Sequence, residues 1–181
     1  MRRILIALAV AAAVPVAVTV SASAKQKPFA SPHRTTLQRE LQSVKAATAR
    51  YHSFRQAQKA GYSVAGEPCV ASPLGTMGYH ATNATLMADP AIDPLRPEIL
   101  LYVPKANGKL RLVGVEYWKA DADGDLGTDA DRPSTLGHPF NGPMPGHNPT
   151  MPVHYDLHVW LFAENPSGLF AQFNPSVSCT P

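Results

Sequence analysis

The feature that most limits how this chain can fold is a change of texture at Gly61. Between residues 35 and 60 there is neither proline nor glycine. Within that stretch Leu37, Leu41, Val44, Ala47, Tyr51, Phe54 and Ala57 recur at helical spacing and form one apolar stripe. Thr35 and Gln38 make a capping pair at the front, and Gly61, preceded by Lys59, ends the run. The pattern predicts one amphipathic helix of about seven turns. Beyond Gly61 the runs become short, β-branched or aromatic, and are bounded by Pro, Gly, Asn or Asp. Residues 62–71, 76–82, 98–103, 109–118 and 153–162 predict strands, and residues 83–89 a short helix. Ala106-Asn107-Gly108 predicts a hairpin turn between the third and fourth strands. Asn165-Pro166-Ser167-Gly168 predicts a second turn, returning the chain through Leu169 to Phe173. The expected class is α+β, with one long N-terminal amphipathic helix packed on an antiparallel β-sheet or small barrel.

The first 24 residues are read apart from this domain. Arg2 and Arg3 precede an apolar run from Ile4 to Val20, and Ser21-Ala22-Ser23-Ala24 supplies the small residues of a cleavage site. This is the pattern of a secretory signal peptide removed after Ala24. The alternative is a membrane anchor, but an apolar run of roughly 17 residues is at the lower limit for crossing a bilayer. No cysteine follows the run to accept a lipid, so no stable anchor is expected after cleavage. Arg2-Arg3 also admits the twin-arginine route, although its flanks match poorly. Residues 25–34, with Pro28 and Pro32, read as a flexible leader, and residues 35–181 as a single globular domain. Loss of Arg2 and Arg3 takes the formal charge from +3 to +1, which removes any electrostatic reason to bind nucleic acid or anionic membrane. With 45% hydrophobic and 16% charged residues the chain supports a packed core. Cys69 and Cys179 are its only cysteines. In a secreted or extracytoplasmic compartment they are expected to pair, closing a loop whose crosslink is worth about 4–5 kcal/mol. The other role, as two thiolate ligands, lacks a C-x-x-C spacing or a neighbouring His.

Polar chemistry clusters in three places. In the run from Val153 to Phe162, alternation puts Val153, Tyr155, Leu157, Val159 and Leu161 on one face, and His154, Asp156, His158, Trp160 and Phe162 on the other. Strand neighbours two apart lie about 6.6 Å from each other and four apart about 13 Å. His154 and His158 are therefore too distant to share one ion in a regular strand, while either reaches Asp156. A helix would bring both imidazoles to one metal, but the Val, Tyr, Trp and Phe content favours a strand. Alternation along residues 110–118 places Glu116 with Leu110, Leu112 and Trp118. A carboxylate on an apolar face is costly unless it is paired, protonated or bound to a metal. His80 closes the run Met77-Gly78-Tyr79-His80, and His138 and His147 lie in a proline-rich stretch, residues 131–152, placed to close over a site.

These residues suggest a mixed centre of His80, Glu116, His154 and His158, with Asp156 as ligand or as orienting partner. Imidazole with carboxylate suits Zn, Cu, Fe or Mn, and Met144 and Met151 beside His147 and His154 add a soft flavour that fits copper. A shared ion requires the His80, Glu116 and His158 groups to converge within about 5 Å. The competing reading is a metal-free binding module of the cell envelope, with a small-ligand pocket lined by Tyr79, Trp118, Trp160 and His147. Purely structural roles are the third reading, and His52 is read as solvated. Asp121, Asp123 and Asp125 invite calcium. Against the EF-hand pattern, Leu126 stands where a Gly is needed and Arg132 where a Glu is needed. Asn83-Ala84-Thr85 fits a glycosylation sequon, a match short enough to arise by chance. There is no nucleophile elbow, phosphate loop or dinucleotide fingerprint, so no catalytic residue is assigned. The expected partner is a small molecule or a metal ion.

Met77-Gly78-Tyr79-His80, the LRLVGVEY run from Leu110 to Tyr117, the MPVHYDLHVWL run from Met151 to Leu161, and the closing Asn174-Pro175-Ser176-Val177-Ser178-Cys179 together resemble a family of uncharacterised secreted bacterial proteins. The likeness spans residues 40–181. It implies a bacterial, exported, single-domain protein and carries no catalytic role, and it makes the acidic loop at 121–131 a local elaboration.

Overall fold

A computed structural model describes residues 32–66, 68–147 and 150–181, with side chains from Thr35 onward. The expected signal peptide and all but the last three residues of the expected leader lie outside the described residues. Helix α1 (Pro32–Thr48) starts within that leader, with proline at the first position, where its missing N–H costs nothing.

The seven-turn helix is corrected. α1 gives way to a 3₁₀ turn (Ala49–His52), an extended Ser53, and a separate short helix, α2 (Phe54–Lys59). Two interactions accompany the break. The Thr48 hydroxyl donates back to the Val44 carbonyl at 2.7 Å, a bond that bends helices. The Tyr102 hydroxyl donates to the Tyr51 carbonyl at 2.6 Å, fastening the break to the sheet. The apolar stripe survives the interruption, because Val44, Tyr51 and Ala57 are all buried. Gly61 ends α2 with φ at +95°, in the left-handed region that favours glycine.

The sheet comprises β1 (Val70–Ser72), β2 (Gly75–Thr82), β3 (Ile99–Pro104), β4 (Leu110–Ala120), β7 (Asn141–Met144) and β8 (His154–Val159). All pairings are antiparallel, in the order β1-β2-β3-β4-β8-β7, and the sheet curls into a half-barrel. β5 (Ser134–Thr135) and β6 (His138–Pro139) form a separate small pair, and α3 (Ala84–Met87) is the expected short helix. The strand expected at 62–71 forms only at its end, where Val70 and Ala71 belong to β1. Before it, Ser63 makes one isolated bridge to Thr82, because the Ser63 hydroxyl accepts the Ala65 N–H at 3.1 Å and Gly66 turns the chain with φ at +85°. Residues 169–173 turn back past Trp160, whose N–H donates to the Leu169 carbonyl at 3.0 Å, without forming a strand.

The sheet has two unlike faces. Leu100, Tyr102, Leu112, Val115, Tyr117, Tyr155, Leu157 and Val159 pack with Val44, Tyr51 and Ala57 from the helical segment into the main core. Ile99, Leu101, Val103, Val113, Trp118, Trp160 and Val177 form a smaller cluster on the other side. A bulge decides which β4 residues face which way. Leu101 pairs with Gly114 but Tyr102 pairs with Leu112, so Val113 is an extra residue and the alternation slips by one. The expectation that Glu116 shares a face with Leu110 and Leu112 is thereby corrected. Leu112 packs in the main core, whereas Val113 and Trp118 join the smaller cluster on the Glu116 side. Gly114 is required beside the bulge, since a Cβ there would meet the Val159 carbonyl oxygen at 2.7 Å.

Cys69 and Cys179 form a disulfide across a sequence separation of 110, tying the C-terminal tail to the segment before β1. Among the described residues no helix is long and apolar enough to cross a membrane.

One buried acid lies just before β3. Glu98 is 2% exposed and accepts the Trp118 backbone N–H at 3.2 Å. Burial, aided by the negative charges of Glu116 and Asp93 and opposed by backbone N–H donors, pushes its carboxyl from 4.5 up to about 7. A carboxyl raised in the folded state contributes stability below its unfolded value, and that contribution is lost as pH rises through the folded value. Glu98→Gln should therefore gain stability relative to the unmodified protein between pH 4.5 and 8, by about 3 kcal/mol for a shift of this size, in urea unfolding followed at several pH values.

Candidate metal centre

Three strands of the sheet carry the site on the face away from the helical segment. Glu116 lies in the middle of β4, with Ile99 opposite on β3 and His158 opposite on β8. His80 comes from β2, on the far side of β3, where its ladder partner is Leu101. Gly78 lets these strands close, because a Cβ at that position would run into the Tyr102 carbonyl.

The three side chains converge. Glu116 Oε2 is 3.1 Å from His80 Nε2 and 3.5 Å from His158 Nε2. One ligating atom from each residue lies within 4.8 Å of the others, and this is the one group of three such residues among the described residues. Two ligands about 2.1 Å from one ion in a tetrahedral arrangement stand about 3.4 Å apart, so these separations suit a single metal. All three residues are buried: His80 is 6%, Glu116 2% and His158 0% exposed. None of the three atoms makes a hydrogen bond, close as they are. Orphaned polar atoms in a dry place are expensive, and an ion at their centre would satisfy all of them.

His158 is framed on its other side by Asp156, whose Oδ1 is 3.7 Å from His158 Nδ1. Burial opposes a charged His158, but the Glu116 and Asp156 carboxylates outweigh it and push the imidazole up to about 8. Burial likewise works to raise Asp156, yet His158 and the Asn141 amide, 3.4 Å from Oδ1, hold it below the usual carboxylate range. Without an ion, a proton on His158 offsets part of the buried negative charge.

His154 stands apart from the convergent group, as strand spacing requires. Its Nδ1 lies 3.0 Å from the Pro152 carbonyl, which can only accept, so Nδ1 carries the proton. Its ring stacks on Trp118 and meets His147 edge-on, and burial holds its pKa below the ordinary value. A cavity of about 10 Å³ opens beside the centre. His80, Glu116, Trp118, His147, Met151 and His154 are among its lining residues.

The residues expected to line an aromatic pocket are divided. Trp118 and His147 reach the cavity. Trp160 lies behind the centre, stacked on His158 with ring centroids 6.5 Å apart, its indole N–H donating to the Ala171 carbonyl. Tyr79 packs against the main core on the opposite face. Phe162, expected beside the histidines, also packs against the main core, because β8 ends at Val159. His138 stacks on Phe170 and does not approach the site. Asp121, Asp123 and Asp125 form no group of converging ligands. Asp123 accepts the Asp125 N–H and the Thr128 hydroxyl, and Asp125 accepts the Gly127 N–H, so both carboxylates serve their own loop. The sequon asparagine is buried: Asn83 caps α3 through Oδ1 and donates from Nδ2 to the Ala60 carbonyl. Sequence reasoning missed Asn141, because its stretch reads as proline-rich loop while the fold makes it the edge strand β7.

No family model, curated protein or solved structure matches this chain significantly, so the reading of the site stands on its own geometry.

If Asp156 orients His158 toward an ion, Asp156→Asn should weaken metal affinity by about 10–100-fold, as loss of a ligand's outer partner does, without changing stoichiometry. Competition against a chromophoric chelator measures both.

Proposed function

We propose that this protein is an exported metal-binding protein whose His80, Glu116 and His158 side chains hold one divalent transition-metal ion. The observation that carries the reading is the unmatched state of His80 Nε2, Glu116 Oε2 and His158 Nε2 within one ligand sphere in a buried place. Two imidazoles and one carboxylate are the donor set of catalytic zinc and of non-haem iron sites, and both leave open positions. Manganese and copper fit the same donors. A metal would supply Lewis acidity there, while the chain's own part is to exclude water and fix the ligand geometry, with the Asp156 carboxylate 3.7 Å from His158 Nδ1 on the side away from the ion.

The apolar-ligand reading finds little room at this place. The cavity beside Trp118 measures about 10 Å³, against the hundreds of Å³ that organic ligands occupy. Export is inferred from the basic, apolar and small-residue succession of residues 2–24, and the disulfide is compatible with an oxidising compartment.

Elemental analysis of protein recovered from an oxidising compartment tests the metal reading. The expected result is close to one metal per chain, lost in His158→Ala and in Glu116→Ala and retained in His138→Ala. Protein that stays metal-free, with a melting temperature indifferent to chelators and to added metal, would overturn it. N-terminal sequencing of the same material tests export, with Lys25 as the expected first residue.

A further inference from the structure

The cavity beside the centre restricts what its open side can receive. Two of the three converging residues, His80 and Glu116, form part of the wall, and Trp118, His154, Ile99 and Thr82 form much of the rest. A cavity of about 10 Å³ is close to one water's worth. An organic substrate has no place there without rebuilding the wall. The wall is also not uniformly apolar. Trp118 is 7% exposed, yet its indole Nε1 is buried and has no hydrogen-bond partner. The ring stacks on His154. His154 is fixed with its proton on Nδ1, which leaves Nε2 as the lone-pair side of that ring. A buried indole N–H without a partner is costly, and an acceptor within its reach removes the cost.

We propose that the open side of the His80–Glu116–His158 centre takes a water-sized inorganic ligand, and that the Trp118 indole N–H donates a hydrogen bond to it. The class comprises water, hydroxide and small anions or diatomics with a hydrogen-bond acceptor, and it excludes organic carboxylates and heterocycles. The proposal rests on the metal reading above. It adds a size limit and a named donor, neither of which metal binding alone requires. Trp118 acts here as a ligand-positioning residue and is not one of the metal-holding groups.

The test uses the full-length secreted protein loaded with Cu(II) as a spin probe, followed by electron paramagnetic resonance. Fluoride is the water-sized acceptor and imidazole the bulky competitor. Fluoride should add a fluorine splitting to the copper signal, while imidazole at the same concentration leaves the signal unchanged. In Trp118→Phe the fluoride affinity should fall about tenfold, as expected for loss of one donor to an anion, while the Cu(II) affinity stays the same. Entry of imidazole as readily as fluoride would overturn the size limit. Equal fluoride affinity in the two proteins would overturn the role of the indole. The size comparison needs only the unmodified protein, so poor folding of the variant does not rescue the proposal. Failure of the unmodified protein to hold Cu(II) or any other transition metal would instead sink the metal reading itself.

Discussion

A desolvated carboxylate in the middle of an antiparallel sheet organises this molecule. Glu116 is 2% exposed and lies in a strand bordered on both sides. No Lys or Arg forms an ion pair with it among the described residues; the ion-pair distances that it makes are to His80 and His158. A buried charge without a matched partner costs several kcal/mol, a large share of a domain's net stability. That cost must be offset at the site. Imidazoles can do so in two ways, by taking up a proton or by sharing a cation, and the second also uses the lone pairs that the first leaves idle.

The backbone brings these groups together through departures from regular sheet geometry. Without the extra residue at Val113, the alternation starting from Leu112 would turn Glu116 toward the main core. The bulge puts it on the face of His158 instead. Gly114 and Gly78 remove the two Cβ atoms that would hold the neighbouring strands apart at this place. The β3/β4 bulge thus lies beside the centre, as bulges commonly do beside functional sites.

Much of this was legible in the sequence, and the failures have identifiable causes. The β8 alternation was readable because a strand buried on both faces separates Tyr155, Leu157 and Val159 from His154, Asp156 and His158 by period alone. The same spacing set His154 and His158 too far apart to share one ion, yet the expected centre included both, and His154 lies outside the convergent group. The helical stripe was readable in its contacts but not in its continuity, because the break at Ser53 is accompanied by a hydroxyl from Tyr102, 51 residues distant from its acceptor. The face of Glu116 was right with respect to Trp118 and wrong with respect to Leu112, since the bulge at Val113 slips the alternation by one and its one local sign, Gly114 inside the run, does not fix on which residue it falls. The strand expected at 62–71 shrank to Val70 and Ala71 at its end because local Ser and Gly turn chemistry outweighed an apolar run before them. That His80 would meet Glu116 followed from the cost of the buried charge and not from any spacing, because an entire strand lies between them.

The two faces of the sheet are protected by different means, which ties the disulfide to the centre. The main core is covered by the helical segment, whose Val44, Tyr51 and Ala57 pack directly on it. The face that carries Glu116 has no buried helical residue in its apolar cluster, only the half-buried Met87 of α3 against it, and its buried non-strand members are Trp160, just past β8, and Val177 of the C-terminal tail. That tail is held at three points: Asn174 bridges to Thr76, the Asn174 amide donates to the Glu164 carbonyl at 3.1 Å, and Cys179 is bonded to Cys69. A tail of a few residues buries too little apolar surface to stay down by itself against its chain entropy. The crosslink removes most of that freedom. Dryness on this face keeps the electrostatics of the centre strong, because the attraction between buried groups falls as water enters. The covalent staple thus holds down the tail whose Val177 packs on the Glu116 side of the sheet.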